Sequence, residues 1–205
     1  GGAVGLITYM RTESTRIAAS AKSEVAEYII KEFGPEYAAS KPRIGKKAEG
    51  DQDAHEGIRP SSVLRTPKEV EKYLTKDQYK LYNLIWSRLI ASQMTPAVFD
   101  TMKVDIAQKD IYFRANGSKV KFPGYQKVYI EGNDEGKEEK ENVLPEMEKG
   151  DKVTSIDIEP KQHFTQPPAR FSESTLIRVL EDNGVGRPST YAPTLETIQR
   201  RYYVK

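Results

Sequence analysis

The change of hydrophobic period at Pro96, and its reversal at Pro167-Pro168, most constrains the fold this chain can adopt. Before Pro96 apolar residues recur at helical spacing, beyond it they alternate, and after the proline pair helical spacing returns. A helix buries a stripe and a strand buries every second residue, so one uniform bundle or sheet cannot accommodate all three stretches. The expectation is an α+β chain divided as 1–95, mainly helical; 96–165, an antiparallel β-rich region; and 166–205, helical again.

Three helices are predicted before Pro96. Ser20 is the expected N-cap of a helix over 21–33, in which Ala21, Val25, Ile29 and Phe33 recur every four residues and Gly34-Pro35 supplies the stop. Thr66-Pro67-Lys68-Glu69 has the form of a capping box with Pro at the first helical position, and opens a short helix to about Leu74. Thr75-Lys76-Asp77-Gln78 repeats the device, and the longer helix that follows carries Leu81, Leu84, Ile85, Leu89 and Ile90 toward Gln93. The single tryptophan, Trp86, lies in this helix and reads as a packing residue rather than a base-stacking platform.

Beyond Pro96, Val98, Met102, Val104 and Ile106 alternate with polar residues, and 111–114 and 119–122 flank Asn116-Gly117, a pair suited to a hairpin turn. Further strands are expected over 127–130 and 153–159, separated by an acidic solvated loop at 132–141. Glu131 to Asp151 holds nine acidic and three basic residues, a balance of −6, whereas the remainder, with 29 basic and 21 acidic residues, carries +8. A basic body is consistent with a polyanionic partner. No cysteine is present to make disulfides or thiolate metal sites, no apolar run reaches the ~18 residues of a membrane span, and the start lacks a signal-peptide pattern. An intracellular protein with no membrane partner is expected.

After Pro167-Pro168, Ser172 can cap a helix carrying Leu176, Val179 and Leu180 to an Asn183-Gly184 stop, and a second helix beginning near Pro193 carries Leu195 and Ile198. Two short helices about a Gly-rich turn make a helix-turn-helix, a shape shared by DNA readers and ordinary helical corners. In the connector Gly184-Val185-Gly186-Arg187-Pro188-Ser189-Thr190, backbone N–H groups, hydroxyls and Arg187 at a helix start offer an anion-binding surface; the alternative is a tight turn with a cap.

The residues with chemistry begin at Tyr9. In the run Gly5-Leu6-Ile7-Thr8-Tyr9-Met10-Arg11-Thr12-Glu13-Ser14 an apolar lead-in delivers a phenol and a guanidinium two residues apart. Extended backbone points both to one face, so a nucleophile and a cation can meet one phosphate. A phenol must be activated to attack, and a neighbouring cation both favours the phenolate and neutralises phosphate charge. By itself a Tyr-x-Arg pair is more often an edge residue beside a surface Arg. His55, one of two histidines, precedes Glu56; position 59 is Arg where a helical zinc site would require a second His, which removes the metalloprotease reading. His163 reads as structural.

The decapeptide ending at Ser14 resembles the active-site tyrosine segment of type IA DNA topoisomerases. Ala54-His55-Glu56-Gly57-Ile58-Arg59-Pro60, the stretch from Gln162 to Glu173, and Gly184-Val185-Gly186-Arg187-Pro188-Ser189-Thr190-Tyr191-Ala192 are similar to further signatures of that family, in its order. Met10 and the Arg187-to-Tyr191 run look more like the bacterial topoisomerase I branch than the topoisomerase III branch.

The resemblance implies that Tyr9 attacks a phosphodiester of single-stranded DNA, forming a 5′-phosphotyrosyl linkage without ATP, and that strand passage through the gap relaxes negative supercoils. It implies that Arg11 stabilises charge at the scissile phosphate, that His55 lies by the tyrosine, and that Arg187, Ser189, Thr190 and Arg201 contact the strand. It further implies a helical tyrosine domain over 1–95, a β-rich hinge domain over 96–165, and the start of a helical DNA-binding domain over 166–205. Two departures stand out: Glu13 replaces the family's Asp, and Tyr202 replaces its Gly, so a positive-φ turn at Tyr202 would be strained. The family's TOPRIM domain, whose carboxylates bind Mg²⁺, has no counterpart here. The expectation is a central fragment, inactive alone, that works with the remaining domains of a cytoplasmic, nucleoid-associated bacterial enzyme. The competing possibilities are a non-catalytic DNA-binding module and a protein-interaction module with basic faces.

Overall fold

The computed structural model describes residues 4–10, 14–40, 56–130 and 142–204. Arg11, Glu13, His55 and the acidic loop expected over 132–141 fall outside them. The architecture is α+β, with five α-helices and one two-stranded antiparallel sheet among the described residues.

The first helix, α1 (Ala19–Phe33), begins two residues before the expected position, and Ser20 lies inside it instead of capping it. Ala18 is the boundary residue, and its carbonyl accepts from the Lys22 N–H at 3.0 Å. Ala18 and Ala19 are strong helix formers, so the helix runs back past the serine. Ala21, Val25 and Ile29 are buried as their spacing required, and the chain stops at Gly34. Pro67 opens α2 (Pro67–Val70), continued by a 3₁₀ turn to Tyr73. The Glu69 carboxylate accepts from the Thr66 N–H at 3.0 Å, which supplies the cap. Helix α3 (Lys76–Gln93) has a full capping box: Thr75 N–H donates to Gln78 Oε1 at 3.0 Å and Gln78 N–H to Thr75 Oγ1 at 3.3 Å.

Helix α3 buries Leu89 and Ile90 of the expected stripe but not its leading leucines. Tyr82, Trp86, Leu89, Ile90 and Gln93 are buried, whereas Leu81 and Leu84 are 56% and 47% exposed. The two aromatics decide this, because each buries more area than a leucine and each has a hydrogen-bonding tip to satisfy. Trp86 Nε1 donates to the Val63 carbonyl at 3.0 Å and the Tyr82 hydroxyl to the Arg65 carbonyl at 2.6 Å, so the 63–65 turn is stapled onto the helix. Burial raises the Tyr82 phenol above its ordinary range. The core joins Val25 and Ile29 of α1 to Tyr37, Val63, Val70 and the buried face of α3, with Tyr28 edge-on to Trp86 at 5.7 Å between ring centroids.

Strands β1 (Val98–Gln108) and β2 (Ile111–Phe122) pair along their whole length, from Val98 opposite Phe122 to Gln108 opposite Ile111. The hairpin turn is therefore Lys109-Asp110, with Lys109 at φ 56°, and the expected turn at Asn116-Gly117 is instead the middle of β2, opposite Lys103 and Met102. Gly117 serves another close approach. A Cβ there would lie 2.8 Å from Leu144 Cγ and 2.9 Å from the Asn142 carbonyl oxygen, which accepts from Ser118 N–H at 2.8 Å. Outside, Arg114 forks onto Asp105 at 2.6 and 3.2 Å, and its guanidinium holds that carboxyl below the usual range.

Two expected strands are not formed. Residues 124–127 make a 3₁₀ turn, and Tyr129 N–H returns to the Tyr125 carbonyl at 3.1 Å. Aromatic contacts fix that turn: Lys127 Nζ sits 4.7 Å from the Tyr37 ring centroid and Arg88 lies over Tyr129 at 5.1 Å. Residues 153–159 have no ladder partner among the described residues, and Ile156 is 99% exposed. Alternation specifies a face for a strand but does not supply the edge it must pair with.

Helix α4 (Glu173–Asp182) is capped by Ser172, whose Oγ accepts from Thr175 N–H at 3.2 Å. Helix α5 (Pro188–Arg200) begins at Pro188 rather than near Pro193, which lies inside it. Pro188 occupies the first helical position, where a missing N–H costs nothing, and Thr197 Oγ1 donates to the Pro193 carbonyl at 2.7 Å. Both helices end in the same motif. After α4, Val185 N–H donates to Leu180 O at 2.8 Å and Gly184 N–H to Glu181 O at 2.9 Å; after α5, Tyr203 N–H donates to Ile198 O at 3.0 Å and Tyr202 N–H to Gln199 O at 2.9 Å. The motif requires a left-handed residue, which is Gly184 at φ 67° in one case and Tyr202 at φ 56° in the other. The strain expected at Tyr202 is present, and costs about 1–2 kcal/mol for a residue with a Cβ.

Candidate active site

Leu6 to Thr8 lie antiparallel to Arg59 to Ser61, with Ile7 bridged to Pro60. Thr8 N–H donates to Arg59 O and Ser61 N–H to Leu6 O, each at 2.9 Å, and Ser61 Oγ donates to Gly5 O at 2.7 Å. The Thr8 hydroxyl adds a side-chain clasp, donating to Gly57 O at 3.1 Å and accepting from Arg59 N–H at 3.0 Å. In the same segment, Gly57 N–H donates to Arg16 O at 2.7 Å. The chain thus meets 57–61 through both Thr8 and Arg16, and residues 9–15 connect the two.

Tyr9 stands at the start of that connection, one residue beyond the clasp, with 68% of its surface exposed. A phenol held beside a bonded strand end yet open to solvent is accessible to a large substrate. The two sequence motifs around Tyr9 and after His55 are therefore joined, residue to residue, through Thr8, Gly57 and Arg59.

Thr8, Glu56 and Arg59 form the part of the site that reading the sequence did not single out. Arg59 Nε donates to Glu56 Oε2 at 2.7 Å and Nη1 to its neighbour's carbonyl, Pro60 O, at 3.0 Å. The side chains are 14% and 26% exposed, so the pair braces the segment from within rather than decorating its surface. Their i, i+3 spacing in Glu56-Gly57-Ile58-Arg59 was the available signal. Ser14, Gly57 and Arg59 also line a groove whose opposite wall is Leu84, Ile85 and Arg88 of α3.

The second group of expected residues lies on the α4–α5 pair. Arg187 and Ser189 are exposed at the start of α5, with Gly184 and Gly186 at φ 67° and 83° before them. The Thr190 hydroxyl accepts from Arg187 N–H at 2.9 Å and donates to Arg187 O at 3.0 Å, so it closes the turn that presents the arginine. Arg201 is at the other end of α5, ~20 Å away along a 13-residue helix. The four residues thus mark the two ends of one helix and do not form one pocket.

Among the described residues no group of three or more His, Asp and Glu is placed to hold a metal ion. Nor is any helix among them long and apolar enough to cross a membrane.

The family model for DNA topoisomerase matches residues 3–205. The chain belongs to that family. A solved structure of full-length topoisomerase I from Thermotoga maritima matches this topoisomerase chain with a TM-score of 0.79 and 36% identity, over 98% of this chain and 32% of that one. The chain thus spans about a third of the length of the protein it matches. The match bears out the expectation of a type IA family member most like bacterial topoisomerase I, and of an α+β fold.

Proposed function

We propose that Tyr9 is the nucleophile in cleavage and rejoining of one DNA strand. Its oxygen attacks a backbone phosphorus, the P–O3′ bond breaks, and the 3′-oxygen acquires a proton as the phenol loses one. The product is a 5′-phosphotyrosyl ester and a free 3′-hydroxyl, and attack by that hydroxyl restores the strand. One phosphoester replaces another, so no ATP is consumed. Passage of a second strand through the gap relaxes negative supercoils.

In this scheme Arg11 neutralises charge at the scissile phosphate and His55 holds the same phosphate or moves a proton beside it. The Thr8 clasp and the Glu56–Arg59 brace orient the strand that carries Tyr9. Arg187 and Ser189 meet backbone phosphate, Thr190 shapes the turn that presents them, and Arg201 meets the strand farther along. Residues 1–95 act as the tyrosine domain, 96–165 as part of the hinge and 166–205 as the start of a DNA-binding domain. Mg²⁺ belongs to a carboxylate-rich domain outside these residues, and no step here runs through it. The setting is the bacterial cytoplasm, at the nucleoid.

The observation that carries this reading is the placement of Tyr9, solvent-open and one residue from a clasp to the His55 motif, in a chain matched along nearly its whole length to the topoisomerase family. The test is covalent trapping. Full-length enzyme carrying Tyr9→Phe is expected to yield no protein–DNA adduct after denaturation, and an adduct that persists rejects Tyr9. The 205-residue chain by itself is expected not to relax supercoiled plasmid with Mg²⁺ present.

A further inference from the structure

Tyr202 occupies a position that disfavours it twice. Its backbone is left-handed, in the same helix-ending motif that α4 completes with Gly184, and the residue is 91% exposed, so burial does not compensate the strain. Among the described residues, the one other non-glycine with positive φ is Lys109, in the two-residue hairpin turn. Backbone outliers of this kind gather at functional positions.

The surroundings point to a ligand class. Tyr202 follows Arg200 and Arg201, both exposed, and precedes Tyr203, 69% exposed. Gln199 Nε2 donates to Glu173 Oε1 at 3.1 Å, which brings the beginning of α4 to this end of α5. Just ahead of α4 are Arg170, exposed, and Phe171, 66% exposed. Open aromatic rings interleaved with guanidinium groups are what single-stranded nucleic acid requires, rings for bases and cations for phosphates.

We propose that Tyr202 is a base-stacking platform for single-stranded DNA, with Arg200 and Arg201 on the flanking phosphates. The left-handed residue ends the helix and stands exposed, so its ring is open to solvent. This rests on the reading of the chain as part of an enzyme that handles single strands, and adds to it a contact that positions a base.

The test sets stability against binding. The 205-residue chain, its Tyr202→Gly, Tyr202→Trp and Arg187→Ala variants are titrated against a fluorescein-labelled oligodeoxythymidylate at low salt, followed by anisotropy, and melted by circular dichroism. Tyr202→Gly is expected to melt no lower than the parent, because the strain is relieved, yet to bind roughly 5- to 150-fold more weakly. Tyr202→Trp is expected to retain affinity. If Tyr202→Gly binds as the parent does while Arg187→Ala weakens, the stacking role is rejected and the broader DNA-binding role of this region stands. A parent chain that does not bind the oligonucleotide removes both. A lowered melting point for Tyr202→Gly also overturns the proposal, since the ring would then be packing.

Discussion

Helices α1 and α3 and helices α4 and α5 carry comparable apolar residues, yet the two pairs are held in different ways. Ile29 and Ile90 are fully buried between α1 and α3, and ten buried hydrophobic residues form one connected core there. Helix α4 buries no side chain, and α5 buries only Leu195. What defines α4 and α5 is at their ends: Ser172 and Pro188 at the starts, Gly184 and Tyr202 at the stops. Core burial stabilises more than capping does, about 1.5–3 kcal/mol for each fully buried aliphatic side chain against about 1 kcal/mol for a cap. The tyrosine strand belongs with the core, clasped to a segment that leads into Val63 and α3. The turn that presents Arg187 belongs with the weakly buried pair. The well-packed region beside Tyr9 and the weakly buried helix pair that carries Arg187 are therefore built by different physics in one chain.

The largest expected effect tests the core side. Ile29→Ala should cost about 2–5 kcal/mol in denaturant unfolding followed by the fluorescence of Trp86, which packs in the same core. A loss no greater than that of a cap deletion would collapse the contrast between the two regions.

Next is the clasp. Thr8→Val keeps the shape of the side chain and strands the Gly57 carbonyl and Arg59 N–H, for a loss of about 1–3 kcal/mol. In full-length enzyme it should lower the yield of covalent adduct more than DNA binding, with Thr8→Ser restoring most of it. Equal losses in binding and adduct would place Thr8 in general folding instead.

The smallest effect sharpens the other side. Ser172→Ala removes the acceptor for Thr175 N–H and should cost about 1 kcal/mol, confined to α4, as read by amide exchange over 173–182. Faster exchange spreading into α3 would show that the two regions unfold together.

Much of this was legible before the fold. The capping boxes at Thr75 and Ser172, the stops at Gly34 and Gly184, and the strain at Tyr202 are all local: the residues that decide them lie within about four positions of one another. Misreadings occurred where a local signal has two uses. Asn116-Gly117 announces a tight backbone approach, and β2 uses it to admit residues 142–144 against its edge instead of turning. Pro193 announces a helix start, but Pro188 had already begun one five residues earlier. Leu81 and Leu84 announce a buried stripe, but Tyr82 and Trp86 had carbonyl partners to reach and took the inward face. The strand expected over 153–159 lacked an edge to pair with, which alternation cannot provide.

The candidate site divides along the same line. The family and the α+β class follow from residue order alone, as does the proposal of Tyr9 as nucleophile, because motif spacing and hydrophobic period are written in contiguous sequence. The clasp is not. Thr8 meets Gly57 and Arg59 across 49 and 51 residues, and Ser61 meets Gly5 across 56, contacts between segments that lie far apart in the sequence. Closure of so long a loop is decided by the total burial it makes possible, a property of the folded whole that no window of sequence contains.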